Sequence, residues 1–90
     1  MLFADRRSPE DKLIATGVEF RWGSDPSRAY VVHAQREVIL STGTIKTPQL
    51  LELSGIGRKD ILHRLGVDVK IDLPGVGENV QEHLLVGTAH

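Results

Sequence analysis

The alternation of apolar and polar residues in the first third of the chain predicts a β-hairpin. In residues 13–22 apolar side chains alternate with charged ones from Val18 to Trp22, which is the period of a strand with one covered face. Residues 23–27 are turn formers throughout, and residues 29–34 make a second strand-like run. Two such runs joined by a short turn most simply pair with each other.

A different pattern follows in residues 37–41, where the apolar side chains from Val38 to Leu40 are continuous. Continuous apolar residues are typical of a strand that is covered on both faces, as in a parallel sheet. Thr47 and Pro48 then suit the N-cap and the first position of a helix. This part of the chain therefore predicts one buried parallel-type strand followed by a helix.

Glycines mark the predicted ends of elements in the rest of the chain. Gly55 is expected to end the first helix, and Gly66 a second short helix whose apolar face lies within residues 61–65. Residues 67–73 alternate as a strand exposed on one side, and a glycine-rich turn follows in residues 74–77. The order of elements predicts a mixed α/β fold.

We treat the chain as one partial domain, residues 1–90, with four consecutive parts. These are a polar loop (1–12), a hairpin (13–34), a strand with its helix (37–57), and a helix, strand and loop (58–90).

Composition excludes several classes of protein. The chain has no cysteine, which excludes a disulfide scaffold, a thiol nucleophile and a cysteine-ligated metal site. Its 11 basic and 12 acidic residues form no basic stripe, so nucleic-acid binding is not expected. Apolar runs fall well short of the roughly 18 residues of a membrane span. The first residues show no targeting signal, and the sequence favours no compartment.

Few residues suggest catalysis. The Gly-x-Gly pairs at 55–57 and 75–77 do not complete a dinucleotide fingerprint and are more typical of turns. Glu82 and His83 are the densest titratable group, which fits either acid–base chemistry or a solvated helix start. Nothing in the histidine spacing indicates a metal site. We therefore assign no catalytic and no metal-binding residue.

Thr42 and Gly43 close the predicted buried strand just before the helix. Small residues at the carboxyl end of a sheet allow the backbone to approach a ligand, as adenosine-binding crossovers require. An ordinary strand-to-helix turn explains the same residues.

Residues 43–57 resemble the second signature of the glucose–methanol–choline (GMC) oxidoreductases. The matching positions are Gly43, Thr44, Thr47, Pro48, Leu50, Leu51, Ser54, Gly55, Ile56 and Gly57. Residues 37–43 and 67–83 are also similar to the family. Taken as a whole, the resemblance covers essentially residues 13–90. The departures are Thr42, Val80 and Glu82, where the family usually has alanine, leucine and aspartate.

The resemblance implies a Rossmann-like FAD-binding domain crossed by a β-meander. It implies an FAD-dependent oxidoreductase that moves a hydride from a small-molecule alcohol or sugar to the flavin. Thr42 and Gly43 would approach the adenosine half of FAD. Asn79 and His83 would lie near its pyrophosphate or ring.

The family's first phosphate loop and its catalytic histidine segment have no counterpart in these 90 residues. We therefore expect a central part of the FAD-binding domain that is inactive by itself. Two alternatives stay open, a small non-catalytic α+β interaction module and a subunit completed by a separate partner. The burial of the side chains from Val38 to Leu40 distinguishes a self-standing module from a partial domain. A self-standing module must bury these side chains against its own residues.

Overall fold

A computed structural model describes residues 1–4 and 12–89 of the chain. Of the polar loop predicted at residues 1–12, residues 5–11 lie outside the described residues, and Leu2–Phe3 form a short strand where a loop was predicted. The elements are β1 (Leu2–Phe3), β2 (Ala15–Arg21), β3 (Ala29–His33), α1 (Lys46–Leu53), β4 (Ile56–Gly57), α2 (Lys59–Arg64) and β5 (Ile71–Asp72). They form one antiparallel and one parallel sheet, so the predicted mixed α/β class is confirmed.

The antiparallel sheet has the order β1–β2–β3 and contains the predicted hairpin. Val18 lies opposite Val32 and Phe20 opposite Tyr30, so these four side chains share one face. The rings of Phe20 and Tyr30 stack with their centroids 5.5 Å apart, and such pairs contribute about 0.5–1.5 kcal/mol beyond the area they bury. Position 17 requires glycine, because a Cβ at Gly17 would overlap the carbonyl oxygen of Val32.

The parallel sheet is a small βαβ unit. Ile56 of β4 pairs with Ile71 of β5, and α2 lies on the connection between them. Leu62 of α2 is completely buried and Ile56 is 9% exposed, so the apolar core lies inside this unit. A helix of six residues is too short to be stable alone. Its stability therefore depends on the burial of Leu62, which contributes about 1.5–3 kcal/mol.

Both helices end where the sequence predicts. Gly55 and Gly66 have φ angles of +90° and +73°, the left-handed conformation that glycine adopts without steric cost. Gly55 also meets the returning chain, because its carbonyl oxygen accepts a hydrogen bond from the Lys70 amide at 2.7 Å. A Cβ on Gly55 would overlap the carbonyl oxygen of Asp68.

The predicted start of the first helix is wrong by two residues. α1 begins at Lys46 with Ile45 as its N-cap, and no side chain caps it. The Thr47 amide already donates to the Gly43 carbonyl at 3.0 Å, which extends the first turn toward the N-terminus. Pro48 is tolerated there because the first amides of a helix need no partner within the helix.

The predicted buried strand at residues 37–41 does not form. These residues belong to neither sheet, and the Ile39 side chain is 75% exposed. A strand with two apolar faces needs neighbouring strands and two covering layers, and the described residues supply neither. The parallel pairing lies instead between β4 and β5, and the amphipathic strand predicted at residues 67–73 is reduced to Ile71–Asp72.

The described chain leaves much apolar surface in contact with solvent. Its accessible surface is 7897 Å², whereas a compact monomer of this length exposes about 5200 Å². The radius of gyration is 16.8 Å, against about 12 Å for a compact domain of 90 residues. Leu84, Leu85 and Val86 are among the most exposed side chains. Among the described residues, neither helix has the length or the apolar character needed to cross a bilayer.

A hydrogen bond links the antiparallel sheet to the end of α1. The Met1 ammonium donates to Ser54 Oγ at 3.2 Å, and this hydroxyl donates in turn to the Leu50 carbonyl at 2.7 Å. The start of β1 is thereby held at the C-terminal end of α1.

Candidate functional site

The turn before α1 is built from two threonines and a glycine. The Thr42 amide donates to Thr47 Oγ1 at 2.9 Å, and the two hydroxyl oxygens are 3.1 Å apart. Gly43 has a φ of +96°, and the position of its missing Cβ has no atom within 4 Å. The turn is therefore fixed from inside, while the backbone of Gly43 stays accessible to a ligand.

The glycine-rich turn also lies beside α1, since Gly77 lines one cleft together with Pro48 and Glu52 of that helix. The Val76 amide donates to the Leu73 carbonyl at 3.2 Å and the Glu78 amide to the Gly75 carbonyl at 3.3 Å. These bonds make two successive tight turns. Asn79 then takes a φ of +56°, a left-handed conformation that asparagine tolerates better than most residues.

A carboxylate from α1 packs against this turn. A Cβ on Gly77 would lie 3.1 Å from Glu52 Oε1, and a Cβ on Gly57 would lie 3.1 Å from the Glu52 side chain. Glycine at both positions lets the Glu52 side chain fit between β4 and the turn.

Two open clefts flank α1. The first, of about 300 Å³, separates α1 from the glycine-rich turn, and it is lined by Thr44, Ile45, Pro48, Gln49, Glu52, Gly77 and Val80. The second, of about 290 Å³, is lined by Thr42, Lys46, Gln49, Leu50 and Leu53. The start of α1 and the glycine-rich turn, which are more than 25 residues apart in sequence, therefore form two walls of one cleft.

The four predicted cofactor residues do not all meet. Thr42 lines the second cleft, and Gly43 is the next residue in the chain. Asn79 precedes Val80, which lines the first cleft. His83 lies in the exposed segment after the turn, where it lines a shallow hollow with its own neighbours Glu82, Leu84 and Leu85. The structure thus brings the regions of Thr42 and Asn79 close to α1 and leaves His83 outside both clefts.

An ion-pair network that the sequence does not predict lies beside the turn. Arg58 donates from Nε and Nη2 to the two carboxylate oxygens of Asp60, both at 2.8 Å, and its Nη1 lies 3.4 Å from Glu78 Oε1. The hydrogen bonds from Arg58 hold the pKa of Asp60 well below its usual range, and Asp60 raises the pKa of Arg58. The two-residue spacing of Arg58 and Asp60 is visible in the sequence, but nothing there indicates a contact with Glu78.

A further contact attaches α2 to β5. Asp72 Oδ1 accepts a hydrogen bond from the Lys59 amide at 3.1 Å, at the first residue of α2. The Leu73 amide donates to the Gly57 carbonyl at 2.8 Å. The glycine-rich turn therefore starts from a point that is fixed to the βαβ unit. The described residues contain no group of three or more histidine or acidic side chains placed to hold a metal ion.

Comparison with known proteins gives a consistent result. The family model for GMC oxidoreductases matches residues 4–85. The chain is 53% identical over 73 residues to GMC oxidoreductase family protein Mala s 12 of Malassezia sympodialis, covering 81% of this chain and 12% of that protein. It is 54% identical over 70 residues to the mitochondrial choline dehydrogenase of Homo sapiens, covering 78% of this chain and 11% of the enzyme.

A bacterial relative agrees with these two. The oxygen-dependent choline dehydrogenase of Photobacterium profundum is 53% identical over 72 residues, which cover 80% of this chain and 12% of that enzyme. The chain thus spans about an eighth of the length of the curated relatives that it matches. No solved structure shows significant similarity to it. The extent of the family match and the identity to several members lead to one conclusion: the chain belongs to the GMC oxidoreductase family.

Proposed function

We propose that the chain contributes part of the FAD site of an oxidoreductase that acts on CH–OH groups of small alcohols or sugars. Family membership supports oxidoreductase chemistry. Two of the relatives are choline dehydrogenases by name, and choline is a small alcohol. The observation that carries the proposal is the cleft whose walls are the start of α1 and the glycine-rich turn.

The second cleft beside α1 fits the nucleoside half of FAD. The second cleft combines the apolar side chains of Leu50 and Leu53 with the polar groups of Thr42 and Gln49 and the basic side chain of Lys46, a mixture typical of small-molecule sites. The backbone of Gly43 is open beside it. These residues would hold the adenine ring by apolar contact and orient it by a few hydrogen bonds.

The first cleft carries a carboxylate. Glu52 lines it beside Gly77, and the lining includes no basic side chain. A carboxylate repels a diphosphate but accepts hydrogen bonds from ribose hydroxyls, the role that an acidic residue has in dinucleotide-binding folds. Glu52 would therefore orient a sugar or ribityl hydroxyl of the cofactor.

Asn79 and His83 stay proposals for the flavin side of the cofactor. The side-chain oxygen of Asn79 lies 3.5 Å from Gln81 Nε2, a distance at the long limit of hydrogen bonding. The amide group of Asn79 is thus weakly held within the chain and suited to bind a ligand. His83 would have to reach the cofactor from the exposed segment in which it lies.

FAD, when bound, supplies the chemistry by accepting a hydride from the alcohol carbon. The contribution of this chain's residues is binding and orientation. No histidine lines either cleft of the described chain, and we assign none of its residues as the proton acceptor. We therefore propose that the 90 residues alone do not turn over an alcohol, because proximity and acid–base catalysis each contribute several orders of magnitude.

A titration of the chain with FAD, followed by quenching of flavin fluorescence, tests the proposal. Gly43→Ala is the informative variant, because a Cβ at a φ of +96° costs about 1–2 kcal/mol in a left-handed conformation. We expect FAD affinity to fall about tenfold if this strain displaces the turn. Gly87→Ala is the matched control, since Gly87 lies in open space with no positive φ.

Equal affinity of the two variants would contradict the assignment of Gly43. A chain that unfolds cooperatively but quenches no flavin fluorescence would contradict the FAD site and favour a non-catalytic interaction module.

A further inference from the structure

The Arg58 network, formed by Arg58, Asp60 and Glu78, connects two parts of the chain that are 20 residues apart. Arg58 is the N-cap residue of α2, and Glu78 follows the glycine-rich turn directly. One guanidinium thereby contacts a carboxylate on each side of the space between the βαβ unit and the turn. In the network the positive charge of Arg58 lies between the negative charges of Asp60 and Glu78. Without Arg58 the two carboxylates would have no opposite charge within the network.

The turn is held at both ends. Its beginning is fixed by backbone pairing, through the bond from the Leu73 amide to the Gly57 carbonyl. Its end is linked to the βαβ unit through the contact between Arg58 and Glu78, and Glu78 lies one residue before the left-handed Asn79. Loss of this contact would therefore weaken the attachment of the backbone next to Asn79.

Asp60 orients the arginine. Its bidentate contact at 2.8 Å uses Nε and Nη2 and leaves Nη1 directed at Glu78. A lysine has no planar fork and cannot make a bidentate contact with one carboxylate while reaching a second at a fixed angle. The geometry thus depends on arginine and not simply on a positive charge.

We propose that Arg58 is a positioning residue for the glycine-rich turn, which it holds through Glu78 so that Asn79 faces the proposed cofactor site. The inference rests on the proposed function for the identity of the ligand. The positioning of the turn itself can be measured without any ligand.

Amide hydrogen exchange in the ¹⁵N-labelled chain measures that positioning. The amides of Val76 and Glu78 are the reporters, since both donate hydrogen bonds within the turn. Exposed ion pairs change a local equilibrium by about two- to fivefold, so we expect exchange at these amides to rise by this factor in Arg58→Met and in Glu78→Gln. Arg58→Lys is expected to rescue the effect only in part.

A double variant separates positioning from general destabilisation. If Arg58 acts through Glu78, then Arg58→Met combined with Glu78→Gln speeds exchange no more than either change alone. Lys59→Met is the matched control, because it removes the adjacent positive charge and leaves the Arg58–Glu78 contact in place. The Ala34 amide, which donates to the Thr16 carbonyl at 2.8 Å, reports on the distant sheet and is expected to be unchanged.

Three results would overturn the inference: unprotected Val76 and Glu78 amides in the unmodified chain, unchanged exchange in Arg58→Met, or additive effects in the double variant. An FAD titration of the same variants gives the second readout, with affinity expected to fall by the same factor. If the unmodified chain binds no FAD while the exchange effects appear, the proposed function fails and the positioning of the turn by Arg58 stands.

Discussion

Leu62→Ala is the change that should damage this fold most. Leu62 is the one side chain in the described part of the chain that is large, apolar and fully buried. It packs against β4, because a Cβ on Gly57 would lie 3.8 Å from both methyl carbons of Leu62. Truncation to alanine would leave a cavity between α2 and β4.

The size of the effect follows from burial and from the rigidity of the site. Leucine-to-alanine changes in buried positions cost about 2–5 kcal/mol, with the larger values where the surroundings cannot collapse. β4 is held by backbone bonds from Lys70 and Leu73, which limit its movement toward the cavity. We therefore expect a loss of about 3–4 kcal/mol in the free energy of unfolding.

Urea denaturation followed by far-UV circular dichroism measures this loss. Leu65→Ala is the matched control, since Leu65 is the C-cap of the same helix and 66% exposed. The control is expected to change stability by no more than about 0.5 kcal/mol. If Leu62→Ala costs no more than Leu65→Ala, the βαβ unit is not the core of the molecule and the assignment fails.

Two further predictions concern the same unit. Gly55→Ala should cost about 2–4 kcal/mol, because the new Cβ needs a φ of +90° and overlaps the Asp68 carbonyl oxygen; urea denaturation checks it, with Gly87→Ala as the unstrained control. Asp60 should make stability dependent on pH. Its pairing with Arg58 lowers its pKa in the folded chain below the unfolded value of 3.8, so its stabilisation is complete well above pH 3.8 and is lost as the pH falls below that value. Thermal melts between pH 6 and pH 2 should show a smaller decrease for Asp60→Asn than for the unmodified chain, and parallel curves would contradict the pairing.

Local signals in the sequence predicted the elements that depend on local chemistry. The hairpin follows from side-chain alternation and a run of turn residues. The ends of both helices follow from Gly55 and Gly66, whose left-handed conformations the structure shows. These features need no information about distant parts of the chain.

Features that depend on distant partners were not predictable. Residues 37–41 have the composition of a buried strand, but a strand forms only where a neighbour donates and accepts its backbone hydrogen bonds. The two-residue strand β4 is too short to show any period. It forms because β5 returns beside it.

The candidate site divides in the same way. Thr42 and Gly43 are predicted from the small residues before a helix. Thr42 lines a cleft beside α1, and the binding of a cofactor by these two residues stays a prediction. Glu52 and the contact between Arg58 and Glu78 were missed, because a charged residue in a sequence does not reveal which distant turn it contacts. The roles of Asn79 and His83 come from family resemblance and stay predictions.

The short span of the β4–β5 pairing has a consequence for the order in which the chain assembles. Ile56 and Ile71 are 15 residues apart, whereas Met1 and Ser54 are separated by 53. The chain entropy lost on closing a loop grows with the logarithm of its length, so the longer closure costs roughly 1 kcal/mol more than the shorter one. The βαβ unit is therefore expected to form before the contact between Met1 and Ser54, which lies at the C-terminal end of α1 next to β4. The antiparallel sheet attaches to a nucleus that already exists.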